Sequence, residues 1–332
     1  MSADSSTHLM KLINGFQVSQ AISVAATLGI PDLLHHGPRR CDELAIEAGA
    51  QPAGLYRLLR ALAAVGVVEE LEGRQFVLTA LGEPLRTDVP SSRNAWARLV
   101  GQSNYWEAWC GLLGSVQTGK TAFNSVHGAS VWDYRANHLS DAATFDRAMG
   151  TITEQIAEAI LAVLDFREFG IVADIGGGEG ALLAKILQAY PNVRGILFDQ
   201  PHVATKAKHL SALTHRCEVI GGDFFRAVPT GADAYLLKWI LHDWDDESAV
   251  ALLLSCHRAM SSTSRLIIVE YVVEPPNQGP EGKFMDLNMM VITGGVERTR
   301  DEFDRLLGAA GFRLVDATLT GVHATVLVAM PV

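Results

Sequence analysis

From Phe169 to the C-terminus the chain alternates short apolar, β-branched runs with amphipathic stretches of helical period. Few architectures accept that rhythm. Strands are predicted at Ile171–Ile175, Gly195–Phe198, Glu218–Ile220, Ala234–Lys238, Arg265–Glu270, Leu314–Thr318 and Thr325–Met330. Between them Leu182, Leu183, Ile186 and Leu187 mark one helix face, and Ala249, Leu252, Leu253 and Cys256 another. Phe303, Leu306, Leu307 and Ala310 mark a third, opened by a capping box from Thr299 to Glu302 and stopped at Gly311. Strands alternating with helices predict an α/β domain, a Rossmann-like, mostly parallel seven-stranded sheet covered on both faces. Its ligand should bind beyond the carboxyl ends of the strands.

The 332 residues are about twice the usual single-domain length, so a second domain is expected. In the front part Ala21, Val24, Ala25 and Leu28 share a helical face, as do Leu55, Leu58, Leu59 and Leu62. Val67-Val-Glu-Glu, a Glu72-Gly-Arg turn and Gln75-Phe-Val-Leu follow. Helix, turn, helix and a two-stranded wing make a winged-helix pattern. Three segments are expected: a winged-helix domain over 1–100, a helical linker and substrate-pocket segment over 101–165, and the α/β domain over 166–332.

The first strand ends in Asp174-Ile-Gly-Gly-Gly-Glu-Gly, where glycines let the backbone turn sharply and approach a ligand. Nucleotide-binding folds of several kinds use such a loop. An acid just ahead of Gly176 and Gly178 would repel a pyrophosphate, but it suits the ammonium and sulfonium of S-adenosylmethionine. Asp199 closes the second strand, placed to accept ribose hydroxyls, and after the third Asp223 and Phe224 suit an adenine amino group and ring. Each acid could instead be a solvated strand-end residue. After the fourth strand comes Leu237-Lys-Trp-Ile-Leu-His-Asp-Trp-Asp-Asp-Glu, with His242 on the loop before a helix. One histidine among eleven is ordinarily structural. Glu270 and Glu297, expected at the same edge, are what single it out, because carboxylates raise a ring's basicity and hold it as a general base requires.

These segments together resemble a known family. The DIGGGEG loop, the GDFF turn, KWILHDWDDE, IIVEYVVEP and GGVERTRDEF are similar to those of the plant caffeic-acid type of small-molecule O-methyltransferase and its bacterial natural-product relatives. The resemblance covers essentially the whole chain. It implies that Asp199, Asp223, Phe224, Lys238 and the glycine loop around Gly176 bind S-adenosylmethionine. It also implies that His242 is the catalytic base, flanked by Glu270 and Glu297, and that the front domain makes a homodimer. Asn288 and Ile292 depart from the plant pattern, so a polyketide-derived or other aromatic natural product is expected rather than a lignin precursor. Trp106, Phe145, Met149, Met285, Asn288 and Met289 are the expected pocket wall, although aromatic and Met residues at helical spacing are as often plain core.

Charge and composition exclude other classes. A formal charge of −10, and seven Lys/Arg against ten Asp/Glu over residues 1–90, disfavour nucleic-acid and membrane-surface partners. The segment from Pro52 to Val65 carries only Arg57 and Arg60, which weighs against a DNA-binding, ligand-sensing regulator. An NAD-dependent oxidoreductase fits Asp174 and the surroundings of His242 poorly. A diverged relative running another reaction on the same cofactor stays open. Cys41, Cys110, Cys217 and Cys256 lack metal or disulfide spacing and read as buried thiols. No HExxH or paired-histidine pattern implies a metal. Met1 to Gln20 lacks the apolar core of a signal peptide, so a cytoplasmic location is expected.

Overall fold

A computed structural model describes residues 3–90, 92–322 and 324–332; Met1, Ser2, Ser91 and His323 lie outside the described residues. The chain forms two compact units, Met1–Glu107 with Arg135–Thr151, and Ala108–Tyr134 with Ile152–Val332. No helix among the described residues is long and apolar enough to cross a membrane.

In the first unit, helices Cys41–Glu47 and Pro52–Ala64 run between the first two strands of a small antiparallel sheet of β1 (Arg39–Arg40), β2 (Val68–Leu71) and β3 (Gln75–Leu78), in the order β1-β3-β2. Pro52 opens its helix at a position whose N–H would be unsatisfied in any case, and the Gln51 side chain accepts the Gly54 N–H. Leu55, Leu59 and Leu62 bury the inner face against Ile30, Leu44 and Phe76. The outer face carries Arg60, whose guanidinium lies 5.5 Å from the Tyr56 ring, and Tyr56 in turn donates to Glu70. β1 was not expected from the sequence, because two consecutive arginines carry no strand signal; pairing with β3 alone makes them a strand.

The second unit is built on β4 (Ile171–Ile175), β5 (Arg194–Asp199), β6 (Cys217–Gly221), β7 (Ala234–Lys238), β8 (Arg265–Glu270), β9 (Phe312–Leu319) and β10 (Thr325–Pro331). The sheet order is β6-β5-β4-β7-β8-β10-β9, parallel through β8 and antiparallel at β10 and β9. Alternate residues enter opposite layers, as a pleated strand requires. Ala173, Ile175, Tyr235, Leu237, Leu266 and Ile268 join one core, while Val172, Ala234, Leu236, Ile267 and Val269 join the other. Both faces being covered explains why these strands read as continuous apolar runs. Chain order reverses between β4 and β7, the switch point at which ligands bind in open α/β sheets.

The capping box at Thr299 and Glu302 is present, and Gly311 beyond the helix has φ +79. The four cysteines are free; Cys41 and Cys256 are buried, but Cys110 is exposed and Cys217 half-buried, contrary to the expectation of four buried thiols.

Adjacent leucines of helix Asp246–Ala259 test the assignment of its inner face. Leu253 is fully buried and Leu254 is 39% exposed. Leu253→Ala should cost about 2–5 kcal/mol by lost burial and cavity formation, and Leu254→Ala under about 1 kcal/mol. Urea denaturation of the two variants measures the contrast.

Candidate active site

The carboxyl ends of β4, β5, β7 and β8 bring the predicted polar residues to one edge of the sheet. Asp174 is buried near the end of β4, and its Oδ2 has no hydrogen-bond partner. Gly176 (φ +72) and Gly178 (φ +61) follow in the left-handed region, which favours glycine. A Cβ on Gly176 would lie 2.5 Å from Ile240 Cδ1, whereas one on Gly178 would meet open space. The loop is therefore packed on one side and open on the other. Asp199 ends β5, and its Oδ2 accepts the Gly178 N–H at 2.8 Å, joining the second strand to the glycine loop.

Asp223 follows β6, more exposed than the others, and accepts the Phe225 N–H at 3.0 Å. Phe224 packs edge-on against Phe225 and Trp244, and its ring borders the Gly176 turn. Lys238 ends β7 and donates to Thr153 Oγ1 at 2.7 Å. Burial pulls its ammonium down to about 8, against the opposing pull of Asp174 and Glu270. Burial likewise pushes the Asp174 carboxyl up to about 7, opposed by Lys238 and assisted by Asp199.

His242 occupies a short 3-10 turn, Leu241–Asp243. Its Nδ1 lies 2.7 Å from Glu297 Oε1 and 3.4 Å from Glu270 Oε2. An ionised carboxylate only accepts, so the proton of the shorter contact sits on Nδ1. Nε2 is left facing away from both acids, 3.8 Å from Asp243 Oδ1. The other oxygen of Glu270 accepts the backbone N–H groups of Ile240 and Leu241 at 3.0 and 2.9 Å. Glu297 is fixed from behind, its N–H donating to Asp286 Oδ1 at 3.0 Å. Burial opposes a charge on the imidazole, but Glu270, Glu297 and Asp243 outweigh it and raise His242 to about 10. Burial pushes Glu270 up to about 7, with His242 pulling the other way. One ring nitrogen and two carboxylate oxygens within 4.8 Å also form the donor set of a cation site. The 2.7 Å separation is that of a hydrogen bond filled by a proton.

Two neighbours escaped the sequence reading. Trp239 has φ +55, stacks between Tyr271 and His242 at 5.8 and 6.5 Å, and keeps its indole N–H buried without a partner. Arg298 is a fully buried arginine beside Glu297. A tryptophan inside an apolar segment and an arginine before a helix carry no distinctive signal in the chain. Of the expected pocket wall, Met285, Asn288 and Met289 lie on helix Pro280–Ile292 of the second unit, where Asn288 Oδ1 accepts from Trp109 Nε1 at 3.2 Å. Trp106, Phe145 and Met149 lie in the first unit, the last two beside Ala95, Leu99 and Ala148.

Residues 109–313 match the O-methyltransferase domain family, and residues 10–88 match the O-methyltransferase dimerisation domain. The chain belongs to the O-methyltransferase family. It is 42% identical to the phenazine O-methyltransferase of Lysobacter antibioticus, over 98% of this chain and 96% of that one. It is 38% identical to the mitomycin biosynthesis 6-O-methyltransferase of Streptomyces lavendulae, over 91% and 88% of the two chains. Among solved structures, it is similar to an O-methyltransferase from neocarzinostatin biosynthesis, in complex with S-adenosylmethionine and 2-hydroxy-5-methyl naphthoic acid. That likeness has a TM-score of 0.80 at 32% identity and covers 95% of this chain and 96% of the other.

This methyltransferase therefore uses S-adenosylmethionine as its methyl donor, and the strand ends fit that molecule. The buried, unpartnered Asp174 Oδ2 suits a cationic group, and the open face of Gly178 leaves room beside it.

The proton on His242 is measurable directly. In the free protein its ring should stay protonated through neutral pH and titrate near 10 by NMR, and Glu297→Gln should move that titration down. A folded value above the unfolded 6.5 makes the ring's stabilisation complete below pH 6.5 and lost as pH rises through about 10. Lys238, lowered from 10.5 to about 8, changes in the opposite sense above pH 8. Asp174 and Glu270, raised to about 7, add losses of the same sense up to that pH, so the His242 loss stands most nearly alone between about pH 7 and 8.

Proposed function

We propose that this O-methyltransferase transfers the methyl group to a hydroxyl of a small aromatic natural product, with His242 as general base. The observation that carries the reading is the orientation of His242: both acids address Nδ1, leaving Nε2 to face an acceptor. The relatives named for phenazine and mitomycin, and the structure holding a naphthoic acid, support an aromatic acceptor.

Asp174, the loop at Gly176 and Gly178, Asp199, Asp223, Phe224 and Lys238 are assigned to donor binding. Asp199 accepts ribose hydroxyls, Asp223 and Phe224 meet the adenine, and Asp174 compensates positive charge. The donor supplies an electrophilic methyl group on a sulfonium. Met285, Asn288 and Met289 are assigned to the acceptor, because their helix also carries Asp286, which holds Glu297.

His242 takes the hydroxyl proton on Nε2, while Glu297 and Glu270 stabilise the imidazolium that results. A phenol ordinarily titrates near about 10, and the raised value of His242 leaves its ring largely protonated at neutral pH in the free protein, so the ring must be neutral before it takes the hydroxyl proton. Like-charge repulsion from a bound sulfonium would lower the His242 value and favour the neutral ring that accepts the proton.

Residues 1–100 are assigned to dimerisation, 101–165 to a linker and acceptor segment, and 166–332 to donor binding. The exposed Leu9, Leu12, Ile13 and Phe16 near the N-terminus supply apolar surface for a second copy, and sedimentation should show a homodimer.

His242→Ala should lower kcat by about 10²–10⁴-fold and leave donor affinity within a fewfold of the parent. Calorimetry with S-adenosylmethionine and turnover on a panel of hydroxylated phenazines, naphthoates and cinnamates separate the two effects. Equal losses in both would remove the base assignment, and a hydroxylated rather than methylated product would mark a diverged reaction. Asp199→Ala should weaken donor binding by about tenfold or more, the usual cost of truncating a charged hydrogen-bond partner.

A further inference from the structure

Arg298 is an unusual residue to find fully buried, since arginine is rarely removed from water without a demanding set of partners. Its guanidinium donates from Nη1 to the carbonyls of Leu241 (2.9 Å) and Val296 (3.2 Å) and from Nη2 to that of Trp244 (2.9 Å). Nε and Nη2 also reach Asp246 Oδ1, at 2.9 and 2.8 Å. Leu241 and Trp244 bracket His242, so the fork grips the turn on both sides of the ring.

The backbone of the same segment completes the clasp. Val296 N–H donates to the His242 carbonyl at 2.9 Å, and a Cβ on Gly295 would lie 1.9 Å from that oxygen. Only glycine permits so close an approach. The Arg298 carbonyl accepts the Val273 N–H at 2.9 Å, just beyond the strand that ends in Glu270. One short stretch, 295–298, is thus bound to the His242 turn and to the continuation of β8, and it carries Glu297 itself.

We propose that Arg298 is a positioning residue for the methyl transfer: its guanidinium holds the 241–244 turn in the register that sets His242 Nδ1 against Glu297. The inference rests on His242 being the base. Lysine cannot reproduce the function, because an ammonium lacks the planar fork that reaches two carbonyls three residues apart and a carboxylate together. A displacement of about 1 Å at a catalytic group costs on the order of 10²-fold in rate, so loosening the turn acts on kcat rather than on donor binding.

The test is a double-mutant cycle with Arg298→Lys and His242→Ala, reading kcat, acceptor KM and the affinity for S-adenosylmethionine. Arg298→Lys alone should lower kcat by about 10- to 100-fold, with donor affinity within about twofold. Combined with His242→Ala it should change the residual rate by less than about twofold, since the group it positions is gone. Asp246→Asn, at a carboxylate largely exposed to solvent, keeps the fold testable if Arg298→Lys expresses poorly. It should lower kcat by about two- to fivefold in the parent and leave the His242→Ala rate unchanged. Unchanged kcat in Arg298→Lys, or equal losses with and without His242, would overturn the proposal and leave Arg298 a structural brace. A His242→Ala protein that keeps parental turnover would instead remove the base assignment beneath it.

Discussion

A carboxylate buried at the end of a central strand organises this candidate active site. Glu270 is removed from water, a state that costs several kcal/mol for an ionised group unless partners compensate. Its compensation comes from the two N–H groups of Ile240 and Leu241 and from the His242 ring. Those partners belong to the segment that leaves β7, so compensating one charge also fixes where the neighbouring strand's loop must run. The raised basicity of His242 descends in large part from that arrangement, and Glu297, 2.7 Å from Nδ1, adds to it.

Sheet topology explains why so many ionisable groups meet there. Because β4 lies between β5 and β7, Asp174, Asp199 and Lys238 stand at neighbouring strand ends although 64 residues separate the first from the last. Two of them are supported from outside their strand: Asp199 by the Gly178 N–H, Lys238 by Thr153 on the long helix Leu139–Val163. Burial shifts Asp174 and Lys238 towards their neutral forms, and their mutual attraction opposes the shift. Two poorly solvated, opposite charges beside an open glycine turn form a surface that a zwitterionic, cationic donor can complete.

The central strands β4, β5, β7 and β8 were legible because burial on both faces writes each as an apolar run. By contrast, β6 and β9 are largely open to solvent and carry only short apolar stretches. The helix at Arg300–Ala309 was legible because a capping box is a local device, needing only the spacing of Thr299 and Glu302. β1 was not, since nothing within Arg39–Arg40 distinguishes a strand; its partner Phe76 lies 36 residues or more away along the chain. Cys110 was misread as buried for a similar reason, because a thiol looks the same in the chain whether its helix face is covered or open.

The sequence by itself determined the order of strands and helices in the α/β unit, the glycine turn after Asp174 and the types of residue available for chemistry, because those depend on spacing within a few residues. Tertiary structure alone decided which acids face His242, which ring nitrogen they engage and how strongly they hold its proton. It also turned Arg298, in the chain one more polar residue before a helix, into a buried fork around the His242 turn. Distances between groups far apart in the chain set these properties, and through them the local dielectric and the charges each group feels. No local pattern of residues encodes such distances until the sheet has assembled.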